Sequence, residues 1–123
     1  MSERMVKIAV NYKYPEELDF FEKGFGLSDE NDPDEGLFSY IYCYEDGSEL
    51  IVTHSPFGNI SFSAKLISKG VVVFNIYQEY VLEIAFQAWS DEKVIRVYCD
   101  IRKTDTEFRV YYSPNPRIYI ANT

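Results

Sequence analysis

Basic residues are scarce in this sequence. Its 123 residues hold 12 Lys and Arg against 20 Asp and Glu, a net charge of −8. A nucleic-acid binder must meet phosphate with Lys and Arg, so this balance argues against such a partner. Cysteine is limited to Cys43 and Cys99, too few for a disulfide scaffold or a four-ligand zinc site. Both lie in apolar strand patterns, Ile41-Tyr42-Cys43-Tyr44 and Val97-Tyr98-Cys99, and are expected as buried thiols acting as small hydrophobes. No apolar run approaches the roughly 18 residues that span a bilayer; the best, Gly70 to Ile76, is strand length. Met1-Ser2-Glu3-Arg4-Met5 lacks the apolar stretch of a secretory signal. A soluble, cytoplasmic protein with no membrane partner is expected.

Aromatic residues, by contrast, are plentiful. Eleven Tyr and nine Phe supply enough surface to bury that disorder is excluded for most of the chain, and the length suits one domain over 1–123. Period-2 alternation dominates. Val6, Ile8, Val10 and Tyr12 share one face of a first strand, and Leu37 to Tyr44 reads as the next. Asp46-Gly47 then supplies the positive φ of a tight hairpin. Further strand patterns cover Leu50 to Ser55, Ile60 to Leu66, Val71 to Tyr77, Tyr80 to Ala88, Val94 to Ile101, Phe108 to Tyr112 and Ile118 to Ile120. Turn signals every 8 to 12 residues indicate an antiparallel meander. The expected fold is mainly β, about eight or nine strands in a sandwich or half-barrel.

One segment has a helical period instead. Pro15 can open a helix, acidic Glu16, Glu17 and Asp19 favour its N-terminus, and Gly24 can end it. A helix over about 15–23 should pack Leu18 and Phe21 on the sheet. The expected core is Val6, Ile8, Val10, Leu18, Phe21, Leu82, Ile84, Phe86, Val97 and Cys99.

The charge is unevenly spread. Between Tyr14 and Leu50 stand twelve acids and one base, Lys23, a local net of −11; the remainder carries eight acids and eleven bases, or +3. The densest stretch, Ser28 to Gly36, has five carboxylates in nine residues: Asp29, Glu30, Asp32, Asp34 and Glu35. Two readings stand side by side, a solvated loop that keeps the chain soluble and a negative surface that steers a positive partner. A calcium loop fails on spacing, because position 5 counted from Asp29 is Pro33, and position 6 counted from Asp32 is Leu37. The strand that follows puts Phe38, Tyr40, Tyr42 and Tyr44 on one face, with Leu37, Ile41 and Cys43 on the other. One reading covers one face with the helix and the other with a second sheet. The other leaves the tyrosines partly exposed as an anchor row, rimmed by Asp29–Glu35 and by Glu45, Asp46 and Glu49.

Catalytic motifs are missing. His54 stands with Leu50 and Val52 on the apolar side of its strand, as a packed or rim histidine would, and no nucleophile elbow, phosphate loop or Cys-His spacing accompanies it. Glu83 and Asp100 lie on neighbouring strand patterns, but an ordinary ion pair of Glu83 with Arg96 or Arg102 accounts for the charge more simply. Asn59-Ile60-Ser61 matches a glycosylation acceptor, which has meaning only in a secreted protein. Trp89 ends the longest strand and is expected in the core or at its rim.

A small, acidic, Tyr- and Phe-rich β-meander with one early helix resembles the bacterial immunity proteins of contact-dependent growth inhibition and related polymorphic-toxin systems. The resemblance rests on the Asp29–Glu35 cluster, the Phe38–Tyr44 aromatic strand and the missing catalytic signals, and it covers the whole chain in character. It implies a cytosolic protein that binds one cognate toxin domain, often a basic nuclease, and blocks its active site, but it carries over no individual binding residue. From the residues themselves, a non-enzymatic protein with no cofactor or metal, a monomer or weak dimer, is expected, with Asp29, Glu30, Asp32, Asp34, Glu35, Tyr40, Tyr42, Tyr44, Glu45, Asp46 and Glu49 meeting the partner. A small regulatory interaction module, or a ligand-binding or hydrolytic β-barrel, remains the alternative.

Overall fold

The computed structural model describes residues 12–100 and 106–122. Among the described residues, nine strands follow one helix in chain order: α1 (Glu17–Glu22), β1 (Gly26–Leu27), β2 (Phe38–Cys43), β3 (Glu49–Ser55), β4 (Ser61–Ser68), β5 (Val71–Gln78), β6 (Val81–Trp89), β7 (Glu92–Cys99), β8 (Thr106–Ser113) and β9 (Arg117–Asn122). They form two antiparallel sheets, β1-β2-β3-β4-β5 and β6-β7-β8-β9, each strand paired with its neighbour in sequence. The meander expected from the alternation and the helix expected from the helical period over 15–23 are both present. Gly26–Leu27 is an additional strand that two residues could not announce.

One core fills the space between the sheets. Tyr40 from β2, Leu50 and Val52 from β3, and Phe62, Ala64 and Leu66 from β4 face Val81, Ile84, Ile95, Val97, Phe108, Val110 and Tyr112. Chain crosses between the sheets only once among the described strands, from β5 to β6. There Tyr80 N–H donates to the Asn59 carbonyl at 2.8 Å and Val81 N–H to the Ile60 carbonyl at 3.1 Å, which ties the crossing to the β3–β4 turn. Lys13 adds a parallel bridge to Glu83 on the β6 edge. Among the described residues no helix is long and apolar enough to cross a membrane.

Several expectations about side chains are corrected. Leu18 is 70% exposed and Phe21 39%, while Phe20 is buried in their place. The helix is six residues long, too short for an i, i+3, i+7 stripe to set its rotation. One strong contact sets it instead: the Phe20 ring stacks on Tyr40 with centroids 3.9 Å apart and planes within 5°. Its N-cap is Glu16, whose N–H donates to the Asp19 carboxylate at 2.8 Å. Leu82 is exposed because a bulge between Val81 and Glu83 displaces the register against β7, so Val81 takes the buried place. Ile84 and Val97 are buried as expected; Phe86 and Cys99 pack against the core half-buried. Val6, Ile8 and Val10 lie outside the described residues.

Cys43 is exposed at the end of β2, not buried. Burial, with the Glu107 charge as a lesser cause, pushes the Cys99 thiol up to about 11. Arg96 pairs with Glu107, at 2.6 and 3.0 Å from its Nη2 and Nε, and not with Glu83. The register explains it: Arg96 stands opposite Ala85 on β6, so Glu83 is one pleat away. Arg102 lies outside the described residues.

Gly36 closes the acidic loop. Its φ is +76°, and a Cβ there would stand 2.6 Å from Phe57 Cδ2. Gly36→Ala should therefore destabilise the fold by about 1–3 kcal/mol, from left-handed backbone strain and displacement of the Phe57 ring. Thermal unfolding of the variant checks this, and an unchanged midpoint would mean that the Phe57 contact gives way freely.

Candidate protein-binding surface

The acidic stretch is a fastened loop on the edge of the first sheet. Ser28 N–H donates to the Ser39 carbonyl at 3.0 Å, and Ser39 N–H donates to Asn31 Oδ1 at 3.0 Å. Asp32 and Leu37 exchange backbone hydrogen bonds of 2.9 Å in each direction. Between them Pro33–Glu35 winds a single 3-10 turn that Gly36 ends. With its backbone engaged in this way, the loop turns Asp29, Glu30, Asp32, Asp34 and Glu35 to solvent. Glu30 meets Lys65 Nζ at 2.6 Å on the outer side of β4, so one of the five negative charges is partly offset.

The helix N-terminus adjoins this loop. A cavity of about 220 Å³ is lined by Glu16 and Glu17 together with Asn31, Pro33, Tyr40 and His54. Burial, followed by the charges of Glu17 and Glu16, pushes the Tyr40 hydroxyl up to about 12. Glu16 and Glu17 thus extend the negative surface beyond the residues expected to form it. Their signal in the sequence was the twelve-acid window itself; their adjacency to Pro33 needed the fold.

At the other end of β2 stands the second acidic group. Glu45 and Asp46 are exposed in the β2–β3 turn and Glu49 is half-buried. Asp46 accepts hydrogen bonds from the Ser48 hydroxyl and from Ser48 N–H at 2.9 Å, which lower its pKa. Tyr42, Tyr44, Glu45 and Asp46 form one wall of a groove of about 360 Å³, and Pro114 and Pro116 line it opposite. The Tyr44 hydroxyl donates to the Tyr112 carbonyl at 2.7 Å, and burial raises its pKa. The two acidic groups are about 17 Å apart along the strand, at a rise of roughly 3.3 Å per residue. That exceeds the Debye length of about 8 Å at physiological salt, so the fields of the two groups are largely separate.

The aromatic row between them faces the interior. Phe38, Tyr40, Tyr42 and Tyr44 all pack against the core, and Tyr40 is 3% exposed. Helix and second sheet cover this same face together, since Phe20 stacks on Tyr40 while Tyr42 meets Tyr112 at 5.4 Å. Tyr40 is therefore enclosed, and Tyr42 and Tyr44, half-buried against the core, are the tyrosines of the row that line the groove.

His54 is buried at the opposite end of the same core face. Its Nδ1 lies 3.1 Å from the Tyr12 hydroxyl, and Phe38 and Tyr14 flank its ring with centroids at 5.5 and 5.0 Å. Desolvation lowers its pKa to about 4. A neutral imidazole held in an aromatic cage joins the segment at Tyr12 to β3, as a packed histidine does.

No protein-family pattern and no curated protein sequence matches the chain. The fold is similar to that of a chain in the solved contact-dependent growth inhibition toxin–immunity protein complex from Klebsiella pneumoniae 342, with a TM-score of 0.74 and 10% identity. The match covers 90% of this chain and 96% of that one. At 10% identity the likeness is one of fold.

Proposed function

We propose that this chain is an immunity protein: it binds a cognate toxin domain in the cytoplasm and blocks it, acting as a binding protein and not as an enzyme. The observation that carries this reading is the set of solvent-facing carboxylates on the fastened Asp29–Glu35 loop, with Glu16 and Glu17 beside it and Glu45, Asp46 and Glu49 at the far end of β2. Such a surface suits a partner rich in Lys and Arg, and a nuclease has that makeup because its site must hold phosphate. The likeness of fold supports the same class. In this reading the acidic loop steers the encounter, and Tyr42 and Tyr44 at the groove anchor the complex.

Rate measurements against the toxin domain encoded beside the chain's own gene test it. Changing Asp29, Glu30, Asp32, Asp34 and Glu35 to Asn or Gln removes five charges and little packing surface. The on-rate should fall and lose part of its dependence on salt between about 50 and 300 mM. Unchanged rates would return the loop to a solubilising role.

Tyr44→Ala should act on the off-rate and weaken binding by at least about 2 kcal/mol. Because Tyr44 also holds the Tyr112 carbonyl, circular dichroism must first show that the variant is folded. A folded variant with the parental off-rate would remove Tyr44 from the contact surface.

A further inference from the structure

The outer face of the second sheet is built unlike the acidic surface on the first. Arg96 on β7, Arg109 on β8 and Arg117 on β9 each lie over an aromatic ring. Arg96 stands 4.8 Å from the Tyr98 centroid and Arg117 3.7 Å from that of Tyr111. Arg109 lies over two rings, Trp89 at 5.2 Å and Tyr119 at 5.0 Å. Arg96 has Glu107 as its counter-charge, and Arg117 has Glu92 at 3.0 Å. Arg109, paired in register with Arg96 on one side and Tyr119 on the other, meets no carboxylate among the described residues. Its Nε is enclosed without a hydrogen-bond partner.

We propose that Trp89, Arg109 and Tyr119 form a second protein-docking site, which takes a carboxylate from an exposed Asp or Glu of a partner protein. Stacking engages the faces of a guanidinium and leaves its N–H groups, which lie in the plane, available to an acceptor approaching edge-on. With Nε enclosed, the Nη end receives the carboxylate. The two rings already restrain the side chain, so pairing orders little that is free. Arg, Trp and Tyr are also the residue types that concentrate binding energy at interfaces. The Arg96–Glu107 and Arg117–Glu92 pairs make a polar rim around the site. Three arginines against Glu92 and Glu107 leave a local net of +1, which suits one carboxylate and is too small for a phosphate backbone.

Trp89 is the one tryptophan in the chain, so its emission reports on this site alone. The full-length protein would be titrated with a capped hexaglutamate peptide at about 0.15 M salt, where fields from the acidic loop are screened within about 8 Å. Inorganic phosphate and a hexathymidylate are run in parallel. A saturable emission change with hexaglutamate is expected, weakened at least about tenfold in Arg109→Gln. Arg109→Lys should lose most of the response too, because an ammonium lacks the planar fork; it also serves as the test if Arg109→Gln fails to fold. An absent response, or an equal one in the folded variants, would overturn the proposal. So would tighter saturation by hexathymidylate or phosphate, which would make the site one for phosphate. A protein-concentration-dependent change without peptide would overturn it in favour of contact between copies of the chain.

Discussion

Phe20→Ala is expected to lower the free energy of unfolding by about 3–5 kcal/mol, through lost transfer energy and the cavity left behind. Phe20 is the side chain by which the helix is docked: 1% exposed, stacked on Tyr40 and edge-on to Phe25 and Phe86 at 5.5 and 5.0 Å. Among the described residues the other ring that meets Tyr40 is Phe21, and it does so only edge-on at 6.5 Å. Leu18→Ala, two residues earlier and largely exposed, should change stability by no more than about 0.5 kcal/mol. Urea unfolding of both variants reads the difference, with an unchanged m-value showing that only stability moved. A costly Leu18→Ala with a harmless Phe20→Ala would mean that the helix is rotated to bury the opposite face.

Acid should weaken the fold before the carboxylates alone would. His54 has a folded pKa of about 4, against about 6.5 in an unfolded chain. Between those values the unfolded chain holds a proton that the folded protein refuses, so stability falls as pH drops through this window. At 1.36 kcal/mol per unit the full loss is about 3 kcal/mol, complete near pH 4; above about pH 6.5 the group contributes no slope. The cause is burial among Tyr12, Tyr14 and Phe38, where an imidazolium loses its hydration. His54→Phe removes the titration while filling the space. Its absolute stability falls, because the Tyr12 hydroxyl loses a partner, but the slope between pH 4 and 6.5 should flatten relative to the parent. Parallel slopes in the two proteins would show that His54 is open to protonation in the folded state.

Much of this architecture was legible in the residue pattern. Strict alternation such as Ser61-Phe62-Ser63-Ala64-Lys65-Leu66 places Phe62, Ala64 and Leu66 on one face whatever the neighbouring strands do, and all three are buried. Asp46-Gly47 marks a hairpin because of its own backbone preferences; Gly47 has φ +90°. His54 falls on the core side through period 2 alone. The concentration of acids between Tyr14 and Leu50 is a property of the residue order itself.

The errors share a cause. Counting in twos puts Leu82 inward, and the bulge between Val81 and Glu83 reverses that count. Helical period puts Leu18 and Phe21 inward, but the helix is short enough for one ring stack, Phe20 on Tyr40, to decide its rotation. Glu83 looked like the partner of Arg96 because both lie on adjacent strands, until the register put Glu107 closer. Even the tyrosine row was visible as a row; which layer would cover it was not.

The sequence by itself determined that the chain is a strand-rich meander, where its turns fall and which segment is acidic, since alternation, turn chemistry and charge act within a few residues. Tertiary structure alone decided that Tyr40 is enclosed, that Glu16 and Glu17 join the acidic loop, and that Arg109 lies over two rings and meets no carboxylate among the described residues. Those outcomes depend on contacts between residues 10 to 70 positions apart, which are set by strand register and sheet packing, and no local preference encodes them.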